Sequence, residues 1–80
     1  MGINMGINGT IREQLAERGF ELSYRTELTD IYTNEKFEDI SVIDSVKWGW
    51  HVEIKLDSNM PEKQQEAYIN EYKELKKIIA

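Results

Sequence analysis

The segment 46–56 alternates apolar and polar residues without a break, and this pattern constrains the fold more than any other feature of the chain. The apolar set is Val46, Trp48, Trp50, Val52, Ile54 and Leu56. The intervening set is Lys47, Gly49, His51, Glu53 and Lys55. Because successive side chains of a β-strand point to opposite faces, the pattern predicts a strand with one dry face and one wet face. A sheet with one apolar face needs a covering layer.

The C-terminal segment 60–80 has the pattern of an amphipathic helix that could supply this layer. Its apolar stripe comprises Tyr68, Tyr72, Leu75 and Ile79, widened by Ile69 and Ile78. Asn59 and Glu62 predict a capping box, and Pro61 suits the first turn, where its missing N–H costs nothing. We therefore expect this helix to cover the tryptophan-bearing strand, with both indole rings in the core.

The preceding residues predict one short helix and two or three strands. Thr10 and Glu13 form a capping-box pattern, and Gly19 suits the position after a helix, so a helix is expected over 10–18. Alternation from residue 20 predicts a strand that slips near 27–30, with 30–33 as its continuation or as a further short strand. A turn at 33–36 leads to a strand over 37–43.

The connection between the strand 37–43 and the tryptophan strand decides which side chains share a face. A three-residue loop at 43–45 would place Val42 opposite Val46 and Ile40 opposite Trp48. A two-residue turn would instead bring Asp39 and Ser41 to the apolar face. We favour the first register because it buries less charge, and a one-residue slip moves every side chain to the other face.

These elements predict an α+β fold: a three- to four-stranded antiparallel sheet with two helices packed on one face, in the order α-β-β-β-α. Eighty residues suit one domain. We expect residues 10–80 to form this domain. Residues 1–9, which include the tandem Met-Gly-Ile-Asn repeat, are expected to be a flexible N-terminal segment.

Composition favours a small cytoplasmic protein. The chain has no cysteine, which fits a reducing compartment and leaves no thiolate metal ligand. No stretch approaches the roughly 20 apolar residues that cross a bilayer, and no secretion signal is visible. We therefore expect no membrane contact and no cofactor.

The sequence shows no set of residues typical of an enzyme. The sole histidine, His51, lies on the wet face of its strand, and a serine nucleophile would need a base within hydrogen-bond reach. The group Glu35, Glu38 and Asp39 lacks the alternating oxygen ligands and central glycine of a calcium loop. We predict no catalytic residue and no metal site, and hence a non-enzymatic protein.

Charge is the one feature that suggests a partner. The formal net charge is −5, and all of it lies within residues 27–44, where six acidic residues oppose one lysine. The candidate partner-binding residues are Glu27, Asp30, Glu35, Glu38, Asp39 and Asp44. Such a band attracts basic surfaces and repels phosphate backbones. The alternative interpretation is a solvated surface that protects a strand edge from aggregation.

The functional hypothesis is a small acidic module that binds the basic surface of another protein. Its carboxylates would engage Lys or Arg side chains that otherwise hold phosphate. An inhibitor of a nucleic-acid-binding host protein, encoded by a phage or mobile element, is the expected setting. One alternative is a homodimer formed through the outer sheet face or an edge near Gly49. Another is nucleic-acid binding, because the order α-β-β-β-α resembles that of double-stranded RNA-binding domains, although the acidic charge makes a nucleic-acid partner unfavourable.

Overall fold

A computed structural model describes residues 10–80, in which four antiparallel strands carry two helices on one face; the segment 1–9 lies outside the described residues. The elements are α1 (Ile11–Glu17), β1 (Glu21–Arg25), β2 (Thr29–Thr33), a 3-10 turn (Glu35–Phe37), β3 (Ile40–Ser45), β4 (Gly49–Ile54) and α2 (Glu62–Ile79). The strands lie in the order β1-β2-β3-β4. The predicted α+β fold is confirmed, and the fourth strand is the short segment that follows the predicted slip.

The hydrophobic core lies between the sheet and both helices. Directly opposed residues of an antiparallel pair share a face, so the pairs Ile40–Ile54 and Val42–Val52 place four aliphatic side chains on the helix side. The fully buried side chains are Phe20, Leu15, Ile40, Leu75 and Val42. Burying one such aliphatic or aromatic side chain stabilises a fold by about 1.5–3 kcal/mol. The core therefore depends on the alternate residues of β3 and β4 that face the helices and on the apolar stripe of α2.

The helix α1 begins and ends as its sequence predicts. Thr10 Oγ1 accepts a hydrogen bond from the Glu13 N–H at 3.1 Å, and Glu13 Oε1 accepts one from the Thr10 N–H at 2.8 Å. Gly19 follows the helix with φ +91°. The next residue, Phe20, folds back so that its N–H donates to the Leu15 carbonyl at 2.8 Å. The capping box and the glycine C-terminus are both confirmed.

The capping box predicted for α2 is wrong. The N-cap residue is Pro61, which has no side-chain hydrogen bond to the helix. The Asn59 N–H donates instead to Asp57 Oδ1, and the Met60 N–H donates to the Asp57 carbonyl, both at 2.9 Å. Asp57 thus forms a local turn before the helix, and this turn places Asn59 too early to cap it.

The β3–β4 hairpin turns later than the sequence predicted. Its loop is 46–48, and Ser45 pairs directly with Gly49. Val42 therefore lies opposite Val52 rather than Val46, although its predicted face is correct. Gly49 has φ +77°, a left-handed conformation that glycine adopts without a steric penalty, and Ser45 Oγ accepts from the Trp48 N–H at 3.1 Å. These two local features stabilise the turn at residues 46–48, where the apolar–polar alternation of the sequence continues.

The two tryptophans consequently have different surroundings, and the expectation that both lie in the core is wrong. Trp50 is half-buried, and its ring is tilted against Tyr32 with centroids 5.7 Å apart. Trp48 lies in the hairpin loop with 74% of its surface exposed. The Lys47 ammonium lies 5.1 Å from the Trp48 ring centroid, a distance that suits a cation–π contact.

A partly buried ion pair joins the two helical segments. Arg18, the C-cap of α1, donates from Nε to Glu71 Oε2 at 2.8 Å and from Nη2 to Oε1 at 2.6 Å. Glu71 is the only charged residue within residues 10–80 that is buried. A bidentate guanidinium–carboxylate pair of this geometry fixes orientation as well as distance.

We predict that Gly19→Ala destabilises the fold more than Gly49→Ala. Both glycines have positive φ, which costs a residue with a β-carbon about 1–2 kcal/mol. A β-carbon at Gly19 would also lie 2.9 Å from Asn34 Nδ2, whereas one at Gly49 meets nothing within 4 Å. Urea unfolding of both variants measures the difference. Equal losses would contradict the contact with Asn34.

We predict that Glu71→Gln lowers the free energy of unfolding by about 1.5–3 kcal/mol, the usual range for hydrogen bonds to charged groups. The exposed Glu66 lies on the same helix and provides the control, since Glu66→Gln should change stability by no more than ~0.5 kcal/mol. Chemical denaturation of the two variants tests this. Similar values for both would show that the Arg18–Glu71 pair contributes nothing.

Candidate binding surfaces

The six carboxylates predicted as one exposed band lie in three separate places. Glu27 is exposed in the β1–β2 connection. Asp30 and Asp44 lie directly opposite each other in the β2–β3 ladder. The remaining three lie in the 3-10 turn or directly after it, beyond the other ends of these two strands; they are Glu35, Glu38 and Asp39. Because β2 and β3 are antiparallel, residues close in sequence reach opposite ends of the sheet.

Asp30 and Asp44 are held in an ion-pair network on the helix side of the sheet. Like charges directly opposite on neighbouring strands repel, and two arginines offset this repulsion. Arg25 donates to both carboxylate oxygens of Asp30, at 2.8 and 3.0 Å. Arg12 Nη2 lies 3.4 Å from Asp44 Oδ2 and 3.8 Å from Asp30 Oδ2, while its Nε donates to the Tyr32 hydroxyl at 2.8 Å.

This network lowers the availability of both aspartates for a partner. The hydrogen bonds from Arg25 hold the pKa of Asp30 below its ordinary value, with smaller contributions from the charges of Arg25 and Arg12. Only 14% of the Asp30 side chain and 25% of the Asp44 side chain are exposed. The expectation that these two carboxylates lie free in water is therefore wrong, and their placement suits a structural role.

The 3-10 turn that carries Glu35 is anchored to both helical segments. Asn34 precedes it, and its Oδ1 accepts from the Lys36 N–H at 2.9 Å while its Nδ2 donates to the Arg18 carbonyl at 2.9 Å. Phe37 packs edge-on against Tyr68 of α2, with ring centroids 5.3 Å apart. We call the segment 34–39 the acidic turn; its exposed carboxylates are attached to a well-fixed backbone.

A shallow open cleft next to the acidic turn brings in a carboxylate that sequence reasoning missed. The cleft is lined by Glu38, Asp39, Ser41, Glu53, Ile54 and Lys55. Glu53 comes from β4 and reaches this place because it pairs with Ser41. The Lys55 N–H donates to the Asp39 carbonyl at 2.9 Å, which continues the ladder past the end of β4. Finding Glu53 from sequence required the correct hairpin register.

The carboxylates of the acidic turn differ from Asp30 and Asp44 in their partners. Within residues 10–80, Glu35, Glu38 and Asp39 make no ion pair, whereas Asp30 and Asp44 are both paired. Glu53 lies 3.7 Å from His51 Nε2 on the open face of the sheet. We call the acidic turn together with Glu53 the acidic end of the molecule.

The opposite end of the sheet exposes an apolar group that the sequence did not predict. Leu28 is 62% exposed, Val46 76% and Trp48 74%. The two connections meet there, because the Val46 N–H donates to the Leu28 carbonyl at 2.9 Å. Glu27 lies at this apolar end and is therefore separated from the other predicted carboxylates.

Residues 10–80 contain no group of three or more His, Cys, Asp or Glu side chains placed to hold a metal ion. None of the helices in this range has the length and apolar character needed to cross a bilayer.

Comparison with protein-family models, curated proteins and solved structures gives no match to the chain.

We predict that Asp30→Asn loses its effect on stability as the pH falls. Because the pKa of Asp30 is lowered in the folded state, the ionised group contributes stability above its unfolded pKa of about 3.9, and this contribution disappears as the pH falls through the folded value. The variant should be less stable than the parent at pH 7. The two should converge in strong acid.

Thermal unfolding from neutral pH to about pH 2, below the unfolded pKa of an aspartate, measures this convergence. Glu27→Gln removes an exposed carboxylate at the apolar end and serves as the control, with little difference from the parent at any pH. A constant gap between Asp30→Asn and the parent across this range would contradict an ionised Asp30 stabilised by Arg25.

Proposed function

We propose that this protein is a non-enzymatic binding module whose acidic end engages a basic surface on another protein. One observation carries the proposal: three carboxylates on the anchored acidic turn make no ion pair within residues 10–80. Glu35 and Glu38 are exposed and Asp39 is partly buried. Glu38 and Asp39 share a cleft with Glu53 of β4. Of the six residues predicted from the sequence, the proposal retains Glu35, Glu38 and Asp39. It assigns Asp30 and Asp44 to the stability of the fold.

The anchoring of the acidic turn supports this role. A flexible loop loses conformational entropy when it binds, and a preorganised one loses less. Asn34 ties the turn to the end of α1, and Phe37 ties it to Tyr68 of α2. The carboxylates are thus attached to a backbone that is already ordered in the free protein.

The chemistry of these groups suggests the class of partner. Carboxylates without internal partners complement Lys and Arg clusters. Lys and Arg side chains are also the groups that nucleic-acid-binding proteins use to contact phosphate oxygens. We therefore propose a partner that is itself a nucleic-acid-binding protein, with this chain as its inhibitor. A phage or mobile-element origin and a cytoplasmic location are part of the same proposal.

Direct binding of duplex nucleic acid has weaker support. The observed sheet has four strands, whereas the similarity to double-stranded RNA-binding domains rested on three. At the lysine-rich end of α2, Lys77 pairs with Glu74 at 3.1 Å and Lys76 lies 5.8 Å from the centroid of the Tyr72 ring. These contacts occupy cations that a phosphate backbone would require.

We predict that the triple change Glu35→Gln, Glu38→Gln and Asp39→Asn weakens binding to a fluorescent nona-arginine peptide about tenfold. Three exposed ion pairs at ~0.5 kcal/mol each account for this loss. Fluorescence anisotropy at low ionic strength gives the dissociation constants. Stability should change by no more than ~0.5 kcal/mol for each exposed substitution, which thermal unfolding checks.

The control is a triple variant with the same net charge, Glu17→Gln, Glu62→Gln and Glu66→Gln, whose carboxylates are exposed on the helices. Its affinity should stay within about twofold of the parent, less than the effect of one exposed ion pair. Equal weakening of both variants would show that the peptide responds to total charge. No weakening of either would leave the acidic end as a solvated surface only.

A further inference from the structure

The two edges of the sheet differ in how well they could accept another strand. The register between β1 and β2 shifts at Ser23, so that Leu22 pairs with Tyr32 whereas Tyr24 pairs with Ile31. This bulge places Leu22 and Tyr24 on opposite faces and interrupts a regular ladder. Bulges of this kind protect an edge from pairing with another chain.

The edge formed by β4 has no such protection. Six consecutive residue pairs join β3 to β4 without a shift, from Ile40–Ile54 to Ser45–Gly49. Within residues 10–80, no strand pairs with the other side of β4. A regular, unpaired edge is a template for strand addition.

The helix above this edge carries a partly exposed apolar side chain. Helix α1 contacts β1, and α2 contacts β4 and, through Glu71, the end of α1. Ile69 precedes Glu71 by two residues and thus lies about 200° away around the helix axis, on the side that faces the β4 edge. It is 37% exposed. We call the outer edge of β4 (Gly49–Ile54) together with Ile69 of α2 the β4 edge surface.

We propose that the β4 edge surface binds a second copy of this chain, with the two β4 strands antiparallel about a two-fold axis at Val52. Such an interface must be self-complementary, because the same residues meet from both sides. In this register His51 of one copy lies opposite Glu53 of the other, and Trp50 lies opposite Ile54. Each pair joins residues of the same face, so the covered face of one sheet continues the covered face of the other.

The chemistry of these pairs favours this occupant. An imidazole N–H can donate to a carboxylate, and the two-fold axis produces this contact twice on the open face. Trp50 and Ile54 produce two aromatic–aliphatic pairs beneath the helices, a type of cross-strand pair that stabilises sheets. The Ile69 side chains of the two copies then lie on adjoining helix flanks. The result is one continuous eight-stranded sheet.

Glu53 belongs both to the β4 edge surface and to the acidic end, whereas Ile69 and Leu22 lie outside the acidic end. Substitutions at these two residues therefore test the dimer separately from the proposed function. Sedimentation equilibrium should show a monomer–dimer equilibrium that depends on concentration. Ile69→Glu places carboxylates on adjoining flanks and should raise the dimer dissociation constant tenfold or more. Leu22→Glu, which changes a 41% exposed residue at the β1 edge, is the matched control and should leave it unchanged.

Two results would overturn the proposal. One is a monomer at every concentration up to the millimolar range. The other is dissociation by Leu22→Glu, or by Trp48→Ser at the apolar end, to the same degree as by Ile69→Glu. The latter result would assign the dimer to a different surface.

The register has a separate test, since the chain contains no cysteine. A mixture of His51→Cys and Glu53→Cys proteins places the two thiols directly opposite, where α-carbon separations of about 4.5–5.5 Å suit a disulfide. Mild oxidation of the mixture should give more cross-linked dimer on a non-reducing gel than either variant alone. Equal yields would overturn the register about Val52.

Discussion

The unbroken ladder between β3 and β4 determines which side chains are buried and which form the surfaces described above. Val42 and Val52 oppose each other under α2, while Ser41 and Glu53 oppose each other on the open face. A slip of one residue would move Glu53 into the core and Val52 into water, so burial of the apolar face strongly specifies this register. The same register brings Glu53 next to the acidic turn and leaves the outer edge of β4 regular.

Local patterns were readable from the sequence wherever neighbouring residues decide the structure. The capping box of Thr10 and Glu13 involves groups within one helical turn, and Gly19 ends that helix through its own backbone freedom. The alternation in β4 gave the correct face for Val52 and Ile54. The same reasoning failed at the hairpin, because Val46 and Trp48 continue the alternation by chance while Ser45 and Gly49 form the turn. Gly49, which has a positive φ, was the residue in the sequence that indicated a turn at this position.

The expectation that Asp30 and Asp44 are exposed was wrong for a different reason. Charges were grouped by their position in the chain, but an antiparallel pair of strands separates such neighbours by the length of the sheet. Asp30 meets Arg25 across a hairpin and Arg12 from a helix, and neither contact follows from local pattern. The three acidic residues on the turn make no ion pair within residues 10–80, and Glu27 at the apolar end makes none there either. The acidic segment of the sequence is thus divided in the structure into an ion-pair network, the exposed Glu27 and the acidic turn.

Asn34 joins two distant parts of the molecule through a single amide group. Its nitrogen contacts the backbone at the end of α1 and its oxygen caps the turn that carries Glu35. Gly19 lies so close that a β-carbon there would displace the amide nitrogen. A shift at the end of α1 would therefore also displace the acidic turn, because the Asn34 side chain is hydrogen-bonded to both. A change at the end of α1 would in this way reach a surface that it does not itself contact.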